Sequence, residues 1–191
     1  MDTSSAATAA TEVATCLRRV SAGDVTALER LFDLTAPRLL RYAYAVTRNR
    51  VDAEDAVQAT VLKLTRAATS LPILKQPWAY LLKIVRNESL RILSRRRPMQ
   101  SLWEGLIGRS APVEPLEQAE QEAAIQAALQ RLPTEQAEVV VLKIWENLTF
   151  QEIADVTGES LNTVASRYRY ALAKLEQTLR AVAVEVGYVG A

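Results

Sequence analysis

Apolar residues recur at helical spacing along most of the chain, and residues that interrupt helices are sparse: 191 positions include 6 glycines and 7 prolines. In the first half, Asp24 is placed to cap a long helix in which Pro37 predicts a kink or a break. A second helix is predicted to start after Asp52, and a third runs from Trp78 to Arg97. The pattern favours an all-α protein whose first half is a compact three-helix domain.

The helical pattern lapses over residues 98–121, where prolines, glycines and acidic residues accumulate. Such a change is typical of an exposed connection between domains. We therefore predict two small helical domains joined by a flexible linker, with the N-terminal domain over residues 10–97 and the C-terminal domain over 122–186. The helices of the second domain are predicted at residues 122–132, 135–146, 150–156 and 161–183.

The strongest local signals lie between residues 148 and 175. Thr149 and Glu152 have the spacing of a capping box, in which each side chain binds the backbone amide of the other residue. Gly158 can adopt the left-handed conformation that ends a helix, and Ser160 can accept a hydrogen bond from the free amides of a following helix. A short helix, a glycine turn and a second capped helix are typical of a helix-turn-helix motif.

The second helix of this motif has two different faces. A rotation of about 100° per residue groups its apolar positions into one stripe that is predicted to face the domain core. The stripe contains Val164, Tyr168, Ala171, Leu175, Leu179 and Val182. The other side is free of acids as far as Glu176, and helices of this kind read bases in the major groove. The candidate DNA-binding residues are Ser160, Asn162, Thr163, Ser166, Arg167, Arg169, Tyr170 and Lys174. The solvated face of an ordinary helical bundle is the alternative.

Charge is distributed unevenly, although the whole chain carries a formal net charge of only +1. Residues 1–97 contain 16 Lys and Arg against 9 Asp and Glu, whereas residues 98–191 contain 7 against 13. The first half is therefore basic, which indicates a surface that faces nucleic acid.

The chain offers few groups for catalysis or metal binding. It has no histidine, the commonest metal ligand and general base near neutral pH, and Cys16 is its single cysteine. We predict a protein without enzymatic activity, cofactor or metal. Because neither a secretory signal nor a membrane span is visible, we expect a cytoplasmic location. A nuclease that holds Mg²⁺ through Glu54, Asp55 and Glu88 is the weaker alternative.

Four strings in the order of the chain extend this interpretation: AEDAVQ at residues 53–58, WAYLLKIVRN at 78–87, LPTEQ at 132–136, and EIA followed by TVASR at 152–154 and 163–167. Together they resemble the extracytoplasmic-function group of bacterial RNA polymerase sigma factors. The resemblance implies a protein that binds core polymerase, recognises −10 and −35 promoter elements and promotes transcription initiation. A dimeric helix-turn-helix regulator that is not a polymerase subunit is the alternative, but residues 2–97 lack the alternating β and α pattern of a receiver domain.

The resemblance also implies roles for residues of the N-terminal domain. Polymerase contacts are implied at Asp52, Glu54, Asp55 and Gln58, with helix capping as the alternative for Asp52 and Asp55. Contacts to the melted −10 strand are implied at Lys75, Trp78, Tyr80, Lys83, Arg86, Asn87, Arg91, Arg95, Arg96 and Arg97. Cations suit phosphates and aromatic rings can stack on bases. Core packing is the alternative for Trp78, and a solvated helix end is the alternative for the run of three arginines.

For the C-terminal domain, the resemblance implies that the second helix of the motif binds the −35 element as duplex and that an apolar surface docks on the polymerase flap. An anti-sigma factor is a further candidate partner. The chain departs from the commoner family pattern at Ala165, Arg169, Tyr170 and Leu172. These departures leave the promoter sequence open.

Overall fold

The computed structural model describes residues 3–24, 26–66, 76–100, 125 and 127–185. The ordered elements in these ranges are helices, which confirms the all-α prediction. Most of the predicted linker lies outside the described residues, although the fourth helix extends to Gln100.

Four helices form the N-terminal unit: α1 (Thr3–Ser21), α2 (Thr26–Thr47), α3 (Arg50–Arg66) and α4 (Pro77–Gln100). Helix α1 was not predicted, and it contributes the buried side chains of Val13, Leu17 and Val20 to the core. Asp24 lies just before α2, as predicted, and its carboxylate accepts a hydrogen bond from the Thr26 amide at 3.1 Å.

Helix α2 continues through Pro37, so of the two predicted outcomes, a kink or a break, the break does not occur. A proline in a helix interior costs about 3 kcal/mol, because it removes one hydrogen bond and crowds the preceding turn. Leu31, Leu39 and Tyr42 are almost completely buried around this part of the helix. Burial of a large apolar side chain contributes about 1.5 to 3 kcal/mol, so packing of these three offsets the cost of the proline.

Helix α3 starts slightly earlier than predicted, because Asn49 caps it. The Asn49 Oδ1 atom accepts a hydrogen bond from the Asp52 amide at 3.1 Å. The apolar spacing of this segment predicts a buried side formed by Val57, Val61, Leu62 and Leu64. Val57 and Leu64 are buried and Val61 is half-buried, but Leu62 is exposed, so the prediction for Leu62 is wrong. Leu62 lies five positions after Val57, which is about 140° around the helix and therefore on a different face.

The C-terminal unit begins with a helical stretch over residues 127–131 and continues with three further helices. These are α5 (Thr134–Val140), which extends as a π-helical turn over Val141–Trp145, α6 (Phe150–Thr157) and α7 (Leu161–Glu185). The last two form the predicted helix-turn-helix.

The two units pack against each other. Leu81, Leu82 and Val85 of α4 belong to the same contiguous core as Val139 of α5 and Ile153 of α6. Helix α4 packs on α6, and helix α2 packs on α5. The sequence predicts two small helical domains joined by a flexible linker, and in the structure the two units share one core. We call this contact between the units the seam.

Candidate nucleic-acid interface

The turn between α6 and α7 has the local geometry that the sequence predicts. The Thr149 amide donates to Glu152 Oε2 at 2.7 Å, and the Glu152 amide donates to Thr149 Oγ1 at 3.2 Å, which completes the capping box. Gly158 has a φ of 74°, in the left-handed region. Ser160 Oγ accepts a hydrogen bond from the Thr163 amide at 3.1 Å. These bonds fix where α6 begins and ends and where α7 begins.

The inner side of α7 follows most of the predicted stripe. Val164 and Ala171 are fully buried, and Tyr168 meets the ring of Phe150 edge to face at 5.5 Å between centroids. Leu175 also packs on the core, but Leu179 is exposed, so the prediction for Leu179 is wrong. The helix has 25 residues, and we attribute this exposure to its last turns running beyond the short helices that cover its first half. The side chain of Val182 lies outside the described residues.

The outer side of α7 is polar and accessible. Ser160, Asn162, Arg169, Tyr170 and Lys174 are exposed, whereas Thr163, Ser166 and Arg167 are half-buried. The guanidinium of Arg169 lies 5.2 Å from the centre of the Tyr170 ring. The structure thus brings all eight predicted residues onto one helix and its cap.

One acid approaches this surface from outside the helix. Glu159, which precedes the Ser160 cap, forms an ion pair with Arg167 at 3.0 Å. The sequence shows that α7 has no acid before Glu176, but it does not show that the turn places a carboxylate against Arg167. Arg169 and Lys174 are therefore the more accessible cations of this face.

The predicted single-strand contacts lie mainly along α4. Lys83, Asn87, Arg91 and Arg95 are exposed, whereas Trp78, Tyr80 and Arg86 are half-buried. Lys75 lies outside the described residues, as do the side chains of Arg96 and Arg97. Arg91 forms an ion pair with Glu88 at 2.6 Å, and Lys63 of α3 approaches the same carboxylate at 3.4 Å.

Arg86 points toward the C-terminal unit. Its Nε atom donates to Glu138 Oε1 at 2.7 Å, and the Tyr42 hydroxyl donates to the same oxygen at 2.7 Å. Burial alone would lower the pKa of Arg86, but the charge and hydrogen bond of Glu138 raise it. Burial and, secondly, the charge of Glu138 raise the pKa of Tyr42 well above its ordinary value.

Trp78 is also covered by residues at the contact between the two units. Its ring packs on the core, and the Arg38 guanidinium lies 4.0 Å from the ring centre. Arg38 binds Glu146 Oε2 at 2.7 Å, and Arg41 binds Glu146 Oε1 at 2.8 Å. Core packing therefore describes part of the environment of Trp78, and the Arg38 guanidinium covers one face of its ring. The contact of Trp78 with the melted strand stays a prediction.

The sequence reasoning missed the residues that form this seam: Arg38, Arg41, Tyr42, Glu138 and Glu146. One signal was available, because Glu138 stands in the otherwise apolar run AEVVVL at residues 137–142. A carboxylate in such a run is buried, and a buried carboxylate needs a cation or hydrogen-bond donors. The sequence does not show which cations supply them.

The predicted polymerase-binding residues of α3 do not all reach the surface. Asp55 and Gln58 are exposed and Glu54 is half-buried, with its carboxylate 2.9 Å from Arg50 Nε. Asp52 is only 2% exposed, so its implied role as a direct contact does not fit this state. The first turn of α3 instead folds Asp52 inward.

Two large apolar residues flank the exposed acids and amide of α3. Val51 and Leu62 are each 57% exposed. Positions 51, 55, 58 and 62 follow the three- and four-residue spacing of a single helix face. Helix α3 therefore presents a continuous mixed face in which apolar ends enclose polar groups.

Neither a metal centre nor a reactive thiol is formed by the described part of the chain. No three His, Cys, Asp or Glu side chains in it come close enough together to hold an ion. Cys16 is 3% exposed in α1, and burial raises the pKa of its thiol. A helix long and apolar enough to cross a membrane is likewise absent from the described ranges.

Comparisons with known proteins converge on one family. Residues 31–98 match Sigma-70 region 2, and residues 122–175 match Sigma-70 region 4. The chain is 32% identical over 163 residues to the ECF RNA polymerase sigma factor SigM of Mycobacterium tuberculosis, covering 83% of this chain and 80% of that protein. It is 28% identical over 137 residues to RNA polymerase sigma factor SigV of Bacillus subtilis, covering 69% and 78%.

Solved structures show the same fold. The sigma factor RpoE, bound to the anti-sigma factor NepR from Bartonella quintana, superposes with a TM-score of 0.70 at 24% identity, covering 80% of this chain and 96% of that one. CnrH, bound to the cytosolic domain of CnrY, superposes with a TM-score of 0.65 at 22% identity, covering 89% and 98%.

Proposed function

Because this chain belongs to the extracytoplasmic-function group of bacterial RNA polymerase sigma factors, we propose that it binds core polymerase and directs it to promoters through two DNA-facing helices. The observation that carries the proposal is the outer face of α7, where exposed polar and cationic residues stand on a helix whose inner side is fixed by Val164 and Ala171. Such a face matches the major groove of the −35 duplex.

Within that face, Arg169 and Asn162 are the proposed readers of base edges. Both are exposed, and guanidinium and amide groups form paired hydrogen bonds to guanine and adenine. Lys174 lies further along the helix, where a cation is suited to the phosphate backbone. Tyr170 is 55% exposed and adds an aromatic surface beside Arg169.

Helix α4 is the proposed contact for the melted −10 strand. Lys83, Asn87, Arg91 and Arg95 are exposed along it, with Tyr80 half-buried beside them. Cations can bind the strand's phosphates, whereas Asn87 and the aromatic groups can engage an unstacked base.

The exposed face of α3 is the proposed docking site for the polymerase clamp. Val51 and Leu62 supply apolar area at its two ends, and Asp55 and Gln58 supply polar contacts between them. Protein interfaces combine apolar contact area with polar groups that bind the partner, and this face offers both. Asp52 is omitted from the proposed contacts because it is buried.

The proposed role involves no chemistry of the chain's own and places the protein in the cytoplasm, where it meets polymerase. An anti-sigma partner, which the family resemblance implies, remains a prediction for this chain. None of the described side chains is assigned to such a partner.

The direct test is promoter-specific transcription. The purified chain is mixed with bacterial core polymerase, and transcription start sites are mapped after overexpression in cells. We expect co-purification with core polymerase and start sites that share one −10 and one −35 sequence. A homodimer that binds duplex DNA tightly but neither binds core polymerase nor starts transcription would contradict the proposal.

A further inference from the structure

Glu88 is the one acid in the sequence of helix α4, where it stands among six Lys and Arg. The residue is only 7% exposed, and a buried carboxylate needs cations or hydrogen-bond donors to replace its lost water. A negative charge on a helix that binds an anionic strand also works against that binding. The position of Glu88 therefore calls for a physical explanation.

The two carboxylate oxygens of Glu88 hold cations from two different helices. The Lys63 Nζ atom of α3 lies 3.4 Å from Oε1. The Nη2 and Nε atoms of Arg91 in α4 lie 2.6 Å and 2.7 Å from Oε2. The side chains of Lys63 and Arg91 are nevertheless 52% and 45% exposed, so a buried anchor holds two cations at the surface.

Both cations keep donors that can bind a further anion. An ammonium has three N–H groups and a guanidinium has five, of which Glu88 accepts one from Lys63 and two from Arg91. A phosphate group offers several acceptor oxygens, and charge-assisted hydrogen bonds to them are strong. Two cations that share one anchor can therefore bind the same phosphate.

Further cations continue the charge along both helices. Arg66 lies one turn after Lys63 in α3, Arg95 lies one turn after Arg91 in α4, and both are exposed. Glu88 offsets one positive charge of this group, which leaves a net positive edge between the two helices. Such an edge attracts a nucleic-acid backbone.

We propose that Lys63 and Arg91 form a clamp for one phosphate of the melted strand, and that Glu88 is the positioning residue of this clamp. Lys63 is not among the strand contacts implied by the family resemblance, so the clamp extends the strand-binding surface from α4 onto α3. The inference rests on the proposed function, which assigns α4 to the strand. Glu88 orders both long side chains before the strand arrives and so reduces the entropy lost on binding.

The sign of the effect of Glu88→Gln tests the positioning role. The substitution keeps side-chain size and removes a negative charge, which by electrostatics alone would tighten binding to DNA. We expect the full chain to bind a fluorescein-labelled single-stranded DNA about threefold more weakly, because the two cations lose their anchor. Fluorescence anisotropy measures the affinity, and a mixed sequence suffices because phosphate contacts carry no sequence information.

Lys63→Ala tests the contribution of α3. It should weaken binding by about fivefold and lower the slope of log affinity against log salt by about 0.7, the contribution of one phosphate contact in a single strand. In a chain with both Lys63→Ala and Arg91→Ala, Glu88→Gln should no longer weaken binding, because no clamp is left to position. A carboxylate that only stabilises the fold would weaken binding equally in both backgrounds.

Glu12→Gln is the charge-matched control. It also removes one negative charge and one ion pair, since Glu12 binds Arg30 at 2.7 Å between α1 and α2. Binding to single-stranded DNA should not weaken in this variant. The comparison with Glu88→Gln therefore separates the change in net charge from the loss of positioning.

Tighter or unchanged binding in folded Glu88→Gln would overturn the clamp, and so would an unchanged salt slope in Lys63→Ala. Lys63 is exposed, so its variant decides the matter if circular dichroism shows that Glu88→Gln has not folded. Transcription by the wild-type chain with core polymerase tests the proposed function separately. A chain that transcribes but is insensitive to Lys63→Ala contradicts only the clamp, whereas a chain with the expected strand binding that never transcribes contradicts the proposed function.

Discussion

The two helices that we propose to face DNA differ in how accessible they are. Helix α7 exposes Arg169 and Lys174 to solvent, while its inner side is fixed within its own unit. Helix α4 has Arg86 bound to a carboxylate of the other unit, and Trp78 lies under Arg38. Helix α7, the proposed reader of the duplex, is therefore accessible in the free chain, whereas α4, the proposed reader of the single strand, is partly covered. This difference suits a factor that meets closed duplex before the strand is melted.

The largest expected effect comes from destabilising α6, the helix that supports α7. Ile153 is fully buried in α6, beneath α7. Ile153→Ala should lower the free energy of unfolding by about 2 to 5 kcal/mol, because it removes buried methyl groups and leaves a cavity. Urea unfolding followed by circular dichroism measures the loss. Leu172→Ala is the control, since Leu172 is 39% exposed, and a comparable loss there would contradict the assignment of the core.

The next effect concerns Tyr42 of α2, which lies in the seam that partly covers α4. This residue is fully buried and donates its hydroxyl to Glu138. A hydrogen bond to a charged group contributes about 1.5 to 3 kcal/mol. Tyr42→Phe should lower the free energy of unfolding by an amount in this range at neutral pH. Tyr170→Phe, which removes an exposed hydroxyl, is the control and should have little effect on thermal unfolding.

The same residue predicts a pH dependence with a definite sign. Burial, followed by the charges of Glu138 and Glu146, raises the pKa of Tyr42, while Arg86 acts in the opposite direction. The folded chain keeps the phenol proton where the unfolded chain loses it, above pH of about 10. Stability from this group is thus complete below that pH and falls as pH rises. The alkaline fall should be shallower in Tyr42→Phe, and identical slopes would contradict the buried environment.

A smaller effect is expected at the accessible reader, where Arg169→Ala should weaken binding to the −35 duplex by about 1 to 3 kcal/mol if the guanidinium reads a base. Fluorescence anisotropy with a set of single-base variants of the mapped promoter measures this. The loss should be concentrated at one base pair. Lys174→Ala is the comparison, because a phosphate contact weakens all variants equally; an equally uniform loss for Arg169→Ala would assign it to the backbone.

The same contrast explains which features could be predicted from sequence. Thr149, Glu152 and Gly158 act on backbone groups a few residues away, so their spacing alone identified the turn. The ion pairs across the seam join residues that are 52 positions apart for Arg86 and Glu138, and more than twice as far apart for the arginines that bind Glu146. No local spacing encodes such pairs, since they depend on how the two units pack.

Burial at particular positions shows the same limit. Helix α1 begins in an Ala- and Thr-rich stretch with weak helical signals, and its Val13 and Leu17 are buried only through contact with the rest of the N-terminal unit. Asp52 fits a surface contact by motif, but the start of α3 turns it inward. In each case the neighbouring element, rather than the residue's own segment, determined whether the side chain is buried.

The smallest expected effect tests the helix-turn-helix alone, which depends on bonds between residues close in sequence. Thr149→Ala removes the side chain that caps α6 but touches no residue of the seam, so it should cost about 1 kcal/mol, the usual contribution of a cap. Thr178→Ala is the control, because the Thr178 hydroxyl only returns to the Lys174 carbonyl within α7, where alanine is the better helix former. Thermal unfolding should separate the two variants. An equal loss of stability in both variants would contradict the role of Thr149 as the cap of α6.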